Sequence, residues 1–101
     1  AVSPPSDRLP ALSLSSPAPN PSRDGVTFSL GVAPSGPGAV RVFDAGGRLV
    51  RDMFRGRLEA APRTFRWDGR DDAGIQVPAG VYWIRLDAGG AWRVRRAALV
   101  R

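Results

Sequence analysis

Val26, Phe28, Leu30 and Val32 alternate with Thr27, Ser29 and Gly31. A period of two sends successive side chains to opposite faces, so this run predicts a half-buried β-strand. Leu12 and Leu14 alternate with serines in the same way, and Val40 and Val42 alternate with Ala39 and Arg41 in a short third strand. Phe65 and Trp67 share one face of TFRW, residues 64–67, and VYWIRL, 81–86, puts Tyr82, Ile84 and Leu86 together. Between these runs lie SPAPNPSRDG at 16–25 and APSGPG at 33–38, whose Pro, Gly, Asn and Ser read as a loop and a turn. The tetrapeptide DAGG occurs twice, at 44–47 and 87–90, each time between two β-like runs. Glycine takes positive φ at little cost, so each copy predicts a hairpin, one over 39–55 and one over 81–99. LVRDMFRGRLEAA, 49–61, comes nearest to a helical period, but Gly56 and its β-branched and aromatic flanks argue against a helix.

The count is about seven short strands at spacings of roughly 8 to 14 residues with turn chemistry between them, which predicts an antiparallel, immunoglobulin-like β-sandwich. The expected inward set is Leu12, Leu14, Val26, Phe28, Leu30, Val40, Val42, Val50, Phe54, Phe65, Trp67, Tyr82, Ile84 and Leu86. The last strand breaks the alternation. Trp92 and Val94 fit one face, and Ala97 and Leu99 join it only if one residue is skipped. This predicts a β-bulge at Arg95-Arg96, or a change of strand partner there. On that reading Trp92 points in and Trp83 points out. Residues 1–10 carry three prolines and no alternation, so they read as a linker ahead of a domain spanning 11–101. Such a linker usually has something in front of it. No apolar run approaches the ~18 residues of a membrane span, and the N-terminus lacks the apolar stretch of a signal peptide.

Composition narrows the chemistry. His and Cys are absent, which removes the usual ligands for zinc, iron–sulfur and haem and excludes a Ser-His-Asp triad. All 15 basic residues are Arg, so Schiff-base chemistry is excluded as well. The formal net charge of +6 invites a nucleic-acid reading. The arginines are spread along the chain, however, with only Arg93, Arg95 and Arg96 clustered, so a solvated, Arg-decorated sheet is the better account and no nucleic-acid partner is expected. An outward Trp83 could stack on a sugar ring. Packing beneath arginine stems is its more ordinary use.

WDGRDDAG, residues 67–74, places Asp68, Asp71 and Asp72 within five positions. A calcium loop spaces its oxygen ligands at every second position and ends in a bidentate Glu. Here the offsets are three and one, and the chain's single Glu, Glu59, lies upstream. A glycosidase pair needs two carboxyls across a cleft, one of them with a raised pKa. Aspartates beside Arg66 and Arg70 would stay ionised instead. The remaining reading is a structural turn. Asp side chains bond their own backbone two residues on, while Gly69, Gly74 and, further along, Gly80 supply unusual φ values. No metal, cofactor or catalytic residue is expected, and Phe65, Trp67 and Tyr82 are expected in the core.

These residues resemble a known family. Trp67-Asp68-Gly69, Asp71-Asp72, Gly74 and Gly80-Val81-Tyr82 are similar to the pattern of the Ig-like domain first described in the flagellar hook-capping protein. Leu12 and Leu14, Pro19-Asn20-Pro21, and the run from Val40 to Val50 with Phe43, Asp44, Gly47 and Arg48 also resemble its relative, the type A C-terminal sorting domain of type IX secretion. So do Gly80-Val81-Tyr82 and the basic final strand, although an all-Arg strand departs from a family in which Lys is frequent. The resemblance runs from residue 12 to 101. It implies a domain without chemistry of its own, at the end of a secreted or cell-surface protein. The implied partners are the outer-membrane secretion machinery or a neighbouring domain of the same polypeptide. The expected recognition surface combines Trp83, Arg93, Arg95 and Arg96 with the loops beside Gly80. A structural spacer, a hook-cap-like assembly domain and a carbohydrate-binding module are the alternatives.

Overall fold

The alternating segments pair into two antiparallel sheets. The structure, a computed structural model, describes residues 11–101, so the linker expected at 1–10 lies outside the described residues. The strands are β1 (Ala11–Leu14), β2 (Val26–Ala33), β3 (Gly36–Asp44), β4 (Leu49–Leu58), β5 (Arg63–Trp67), β6 (Gly80–Ala88) and β7 (Ala91–Leu99). One sheet has the order β1-β2-β5 and the other β4-β3-β6-β7. Both DAGG segments close hairpins, β3–β4 and β6–β7. The segment that came nearest to a helical period forms β4.

The core lies between the sheets. Val26, Phe28, Leu30 and Val32 from β2 face Val40, Val42, Tyr82, Ile84 and Leu86 from β3 and β6, all buried. Trp67, at the end of β5, is 1% exposed, and its ring lies 5.2 Å from that of Tyr82. Phe65 is half-buried, stacked on Phe28 at 6.0 Å and edge-on to Phe54 at 5.8 Å. Leu12 and Phe54 are half-buried as well, because they sit near the ends and edges of the sheets. Leu58 and Val77 complete the core from positions that alternation did not mark. Full burial of such aliphatic side chains stabilises the fold by roughly 1.5–3 kcal/mol each.

Three local expectations need correction. APSGPG does not form a turn over its whole length, because Gly36–Gly38 already belong to β3 and pair with Leu58–Gly56. A Cβ on Gly38 would lie 2.6 Å from Leu58 Cδ1 and 2.7 Å from the Asp87 carbonyl, so this glycine marks a close approach inside the sheet. The second correction concerns the bulge. β7 stays in one register with β6 from Ala91↔Ala88 to Leu99↔Gly80, with neither a skipped residue nor a change of partner at Arg95-Arg96. Register shifts fall instead in the β3–β4 pair, between Val40 and Arg41 and between Val42 and Phe43, where Met53 and Val50 of β4 are the extra residues.

Third, the unbroken register turns the odd positions of β7 inward. Ala97 and Leu99 are buried, Arg93 and Arg95 share their face, and Trp92 points outward with 54% of its surface exposed. Arginines are tolerated on the inner face because the facing β1 is only four residues long and leaves that end of the sandwich open. Beyond β1 the chain follows β2, with Ser15 N–H on the Ser29 carbonyl at 2.8 Å and two bonds exchanged between Ala18 and Thr27. It then crosses to the other sheet. Ser22 N–H bonds the Ala98 carbonyl at 2.9 Å, and Val100 N–H bonds the Ser22 carbonyl at 2.8 Å.

Candidate functional site

The carboxylates of WDGRDDAG are turned onto backbone N–H groups. Asp68 Oδ1 accepts from Arg70 N–H at 3.0 Å, and Asp71 Oδ1 accepts from Ala73 and Ile75 N–H at 3.0 and 2.9 Å. Asp72 reaches across to β4, where its Oδ1 accepts from Asp52 N–H at 3.0 Å. Gly69 and Gly74, with φ of 75° and 81°, turn the chain between these bonds. Trp67 ties the loop to the core, its Nε1 donating to the Arg70 carbonyl at 3.0 Å. Among the described residues, no three acidic side chains gather as a metal cluster would need.

Arginines latch the same end of the sandwich. Arg51 Nη1 donates to the Asp71 carbonyl at 3.2 Å, and its guanidinium lies 3.6 Å from Asp68 and 3.8 Å from Asp72. Arg101 donates to the carbonyls of Arg23 at 3.0 Å, Gly69 at 3.3 Å and Val77 at 2.8 Å, tying the β1–β2 and β5–β6 loops to the chain beyond β7. Tyr82 opens β6 beside Gly80 and donates its O–H to the Pro78 carbonyl, four residues back, at 2.7 Å. This is the tyrosine-corner arrangement of immunoglobulin-like sandwiches. Burial, helped by the charge of Asp44, pushes the Tyr82 hydroxyl pKa up. At the first DAGG turn the backbone N–H of Arg48 holds the Asp44 carboxyl below its ordinary range. Burial, the next largest effect, opposes it, and Gly46 N–H and the Arg48 guanidinium add to the lowering.

The expected recognition residues do not form one patch. Trp83 lies on the outer face of the four-stranded sheet, 38% exposed, opposite Phe43 on one side and Arg96 on the other. Arg93 and Arg95 lie on the inner face, at the mouth between β1 and β7. Side chains adjacent in a strand point apart, so the run RVRR is divided between two surfaces. Trp92 joins the outer face, with the Arg85 guanidinium 5.0 Å from its ring centre. Arg85 and Arg41 both pair with Asp87, at 2.9 and 3.0 Å. Burial raises the Asp87 pKa, but the hydrogen bonds and charges of Arg85 and Arg41 outweigh it, and the carboxyl sits below its ordinary value.

The outer edge of β7 is sealed over only half its length. Asn20 acts as a strand mimic, its Nδ2 donating to the Arg96 carbonyl at 2.9 Å and its Oδ1 accepting from Ala98 N–H at 3.0 Å. With the Ser22 bonds, this closes the edge from Arg96 to Val100. Ser22 is itself buried, its hydroxyl bonded to the Gly25 carbonyl and accepting from Gly25 N–H at 3.0 Å. Sequence reasoning missed Asn20, Ser22, Arg101 and the outward Trp92. The Pro-Asn-Pro sequence was visible, but nothing local says that its amide meets a strand 76 residues away.

Residues 19–91 match the family model of the FlgD Ig-like domain. A stretch of 47 residues, 46% of the chain, is 43% identical to the basal-body rod modification protein FlgD of Salmonella typhimurium, and the match takes in 20% of that protein's length. The chain therefore spans about a fifth of the curated relatives it matches. Among solved structures, dimeric latent PorU from Porphyromonas gingivalis is similar over 98% of this chain and 10% of its own, with a TM-score of 0.70 and 20% identity. PorZ from the same organism, described as an essential bacterial surface component of the type IX secretion system, aligns over 90% of this chain and 12% of its own. Its TM-score is 0.57 and its identity 26%. FlgD from P. aeruginosa is similar over 90% of this chain and 73% of its own, with a TM-score of 0.55 and 24% identity.

Proposed function

Since this chain belongs to the FlgD Ig-like domain family, we propose that it works as a non-catalytic recognition domain of a larger secreted or cell-surface protein, a sorting or anchoring signal for type IX-like secretion. Domains of this family are structural rather than enzymatic. The observation that carries the sorting reading is the 26% identity to PorZ over 90% of the chain. The recognition surface in this reading is β7 with its flanking loops, which presents Arg93 and Arg95 on its inner face and Arg96, beside Trp83, on its outer face. The partner is the outer-membrane secretion machinery or a neighbouring domain.

The test is a reporter fused ahead of residues 1–101 in a host with type IX machinery. Deleting 93–101 is a poor control, because it removes the core residues Ala97 and Leu99. Charge reversal at exposed Arg93, Arg95 and Arg96 leaves the core intact. Surface delivery by the intact domain, lost on that reversal, supports the signal reading. Equal delivery of a fusion lacking the domain removes it. The 43% identity to FlgD favours a second reading, an assembly domain like that of the hook cap. Restored motility when this chain replaces the Ig-like domain of FlgD would select it.

A further inference from the structure

We propose that the open half of the β7 edge takes up an extended segment of a partner polypeptide in which acidic and apolar residues alternate. The proposal narrows the recognition surface suggested above and rests on that reading of β7. Even-numbered residues of β7 direct their N–H and C=O groups away from β6, as the bonds of Ala98 and Val100 to the 20–22 segment show. By the same parity, the N–H groups of Val94 and Arg96 and the Val94 carbonyl face outward, and the seal formed by Asn20 and Ser22 begins only at the Arg96 carbonyl. An edge strand with free backbone groups is a template for another strand. The free length from Trp92 to Arg96 is roughly 15 Å at ~3.3 Å per residue.

Beside this edge an open cleft of about 630 Å³ separates β7 from β1, floored by Leu12, Leu14 and Leu30. Arg93 and Arg95 lie along it. Arg93 Nη1 reaches the Trp92 carbonyl at 2.8 Å, and Arg95 Nε reaches the Leu14 carbonyl at 2.7 Å. Neither is within ion-pair distance of a carboxylate among the described residues, unlike Arg41, Arg51, Arg55 and Arg85. A strand added at this edge would set alternate side chains beside Arg93 and Arg95 on the cleft side, and beside Trp92 and Val94 on the outer side. Carboxylates suit the first set, since charge-assisted bonds from guanidinium to carboxylate are stronger than those to carbonyls. Aliphatic groups suit the second.

The probe is a blocked peptide of four Glu-Val repeats, titrated into the purified chain and followed by backbone amide shifts and by Trp fluorescence. The controls are a peptide of the same composition in two blocks and a peptide of Lys-Val repeats. The expected result is salt-sensitive binding of the alternating acidic peptide, with shifts centred on Trp92–Arg96. Arg93→Glu with Arg95→Glu should weaken it at least tenfold and transfer preference to the Lys-Val peptide. Val94→Pro removes an outward N–H at an edge, where proline is tolerated, and should abolish binding while the melt is unchanged. If it perturbs the fold, Arg93→Gln with Arg95→Gln gives the same reading through charge alone. No binding of the alternating peptide, equal binding of the block peptide, or unchanged binding in folded variants overturns the proposal and leaves the arginines as guards against edge pairing. The readout needs no secretion host. Delivery without peptide binding overturns only this proposal, and peptide binding without delivery overturns only the sorting role.

Discussion

Two ends of the molecule use arginine in opposite ways. At the aspartate-loop end, Arg51 and Arg101 are held by loop carbonyls, and Arg51 also lies between Asp68 and Asp72. At the β1–β7 mouth, Arg93 and Arg95 meet only single carbonyls and line a cleft. A count of charges treats these residues alike. Their surroundings make the first pair part of the fold and leave the second pair available. The charge of +6 therefore describes no single surface, and what matters is how many groups hold each guanidinium.

The largest effect expected from breaking this contrast is at the anchored end. Trp67→Ala removes the buried ring and the Nε1 bond to the loop, and should cost about 3–5 kcal/mol in denaturant unfolding. An unchanged midpoint would place Trp67 and its loop outside the cooperative unit. Arg51→Ala comes next, at about 1.5–3 kcal/mol, the range for hydrogen bonds to a charged group. Asp68→Ala and Asp71→Ala should each cost about 0.5–2 kcal/mol, as loss of a cap does. Calcium should leave the melting temperature unchanged, and a chelator-sensitive melt would turn the loop into a metal site. Asp87 contributes less. Its folded pKa lies below the ordinary 3.8, so its contribution is complete above that value and is lost as the pH falls through the lowered folded one. Asp87→Asn should remove that part of the acid sensitivity. The smallest effect belongs to the mouth, where Arg93→Ala and Arg95→Ala together should stay within about 0.5 kcal/mol.

Period-two alternation made the strands legible because each has one face against the core. β2 is the plainest case, with Val26, Phe28, Leu30 and Val32 all buried. The method failed where its premise failed. At the mouth no sheet covers the inner face of β7, so arginines stand inside and Trp92 outside, and hydrophobicity reports the wrong side. Gly36 and Gly38 looked like turn residues, and at Gly38 the requirement is space beneath Leu58 and Asp87. The aspartate loop was legible as a turn from local chemistry, since most of its carboxylate bonds are local. The latch of Arg101 was not, because its partners lie 24 to 78 residues away.

Amide hydrogen exchange along β7 tests the division between fold and free surface most directly. The N–H groups of Ala98 and Val100, bonded to Asn20 and Ser22, should be strongly protected, while those of Val94 and Arg96 on the same edge should exchange quickly. Uniform protection from Trp92 to Val100 would contradict the account, because the edge would then already be closed and the mouth would hold no place for a partner.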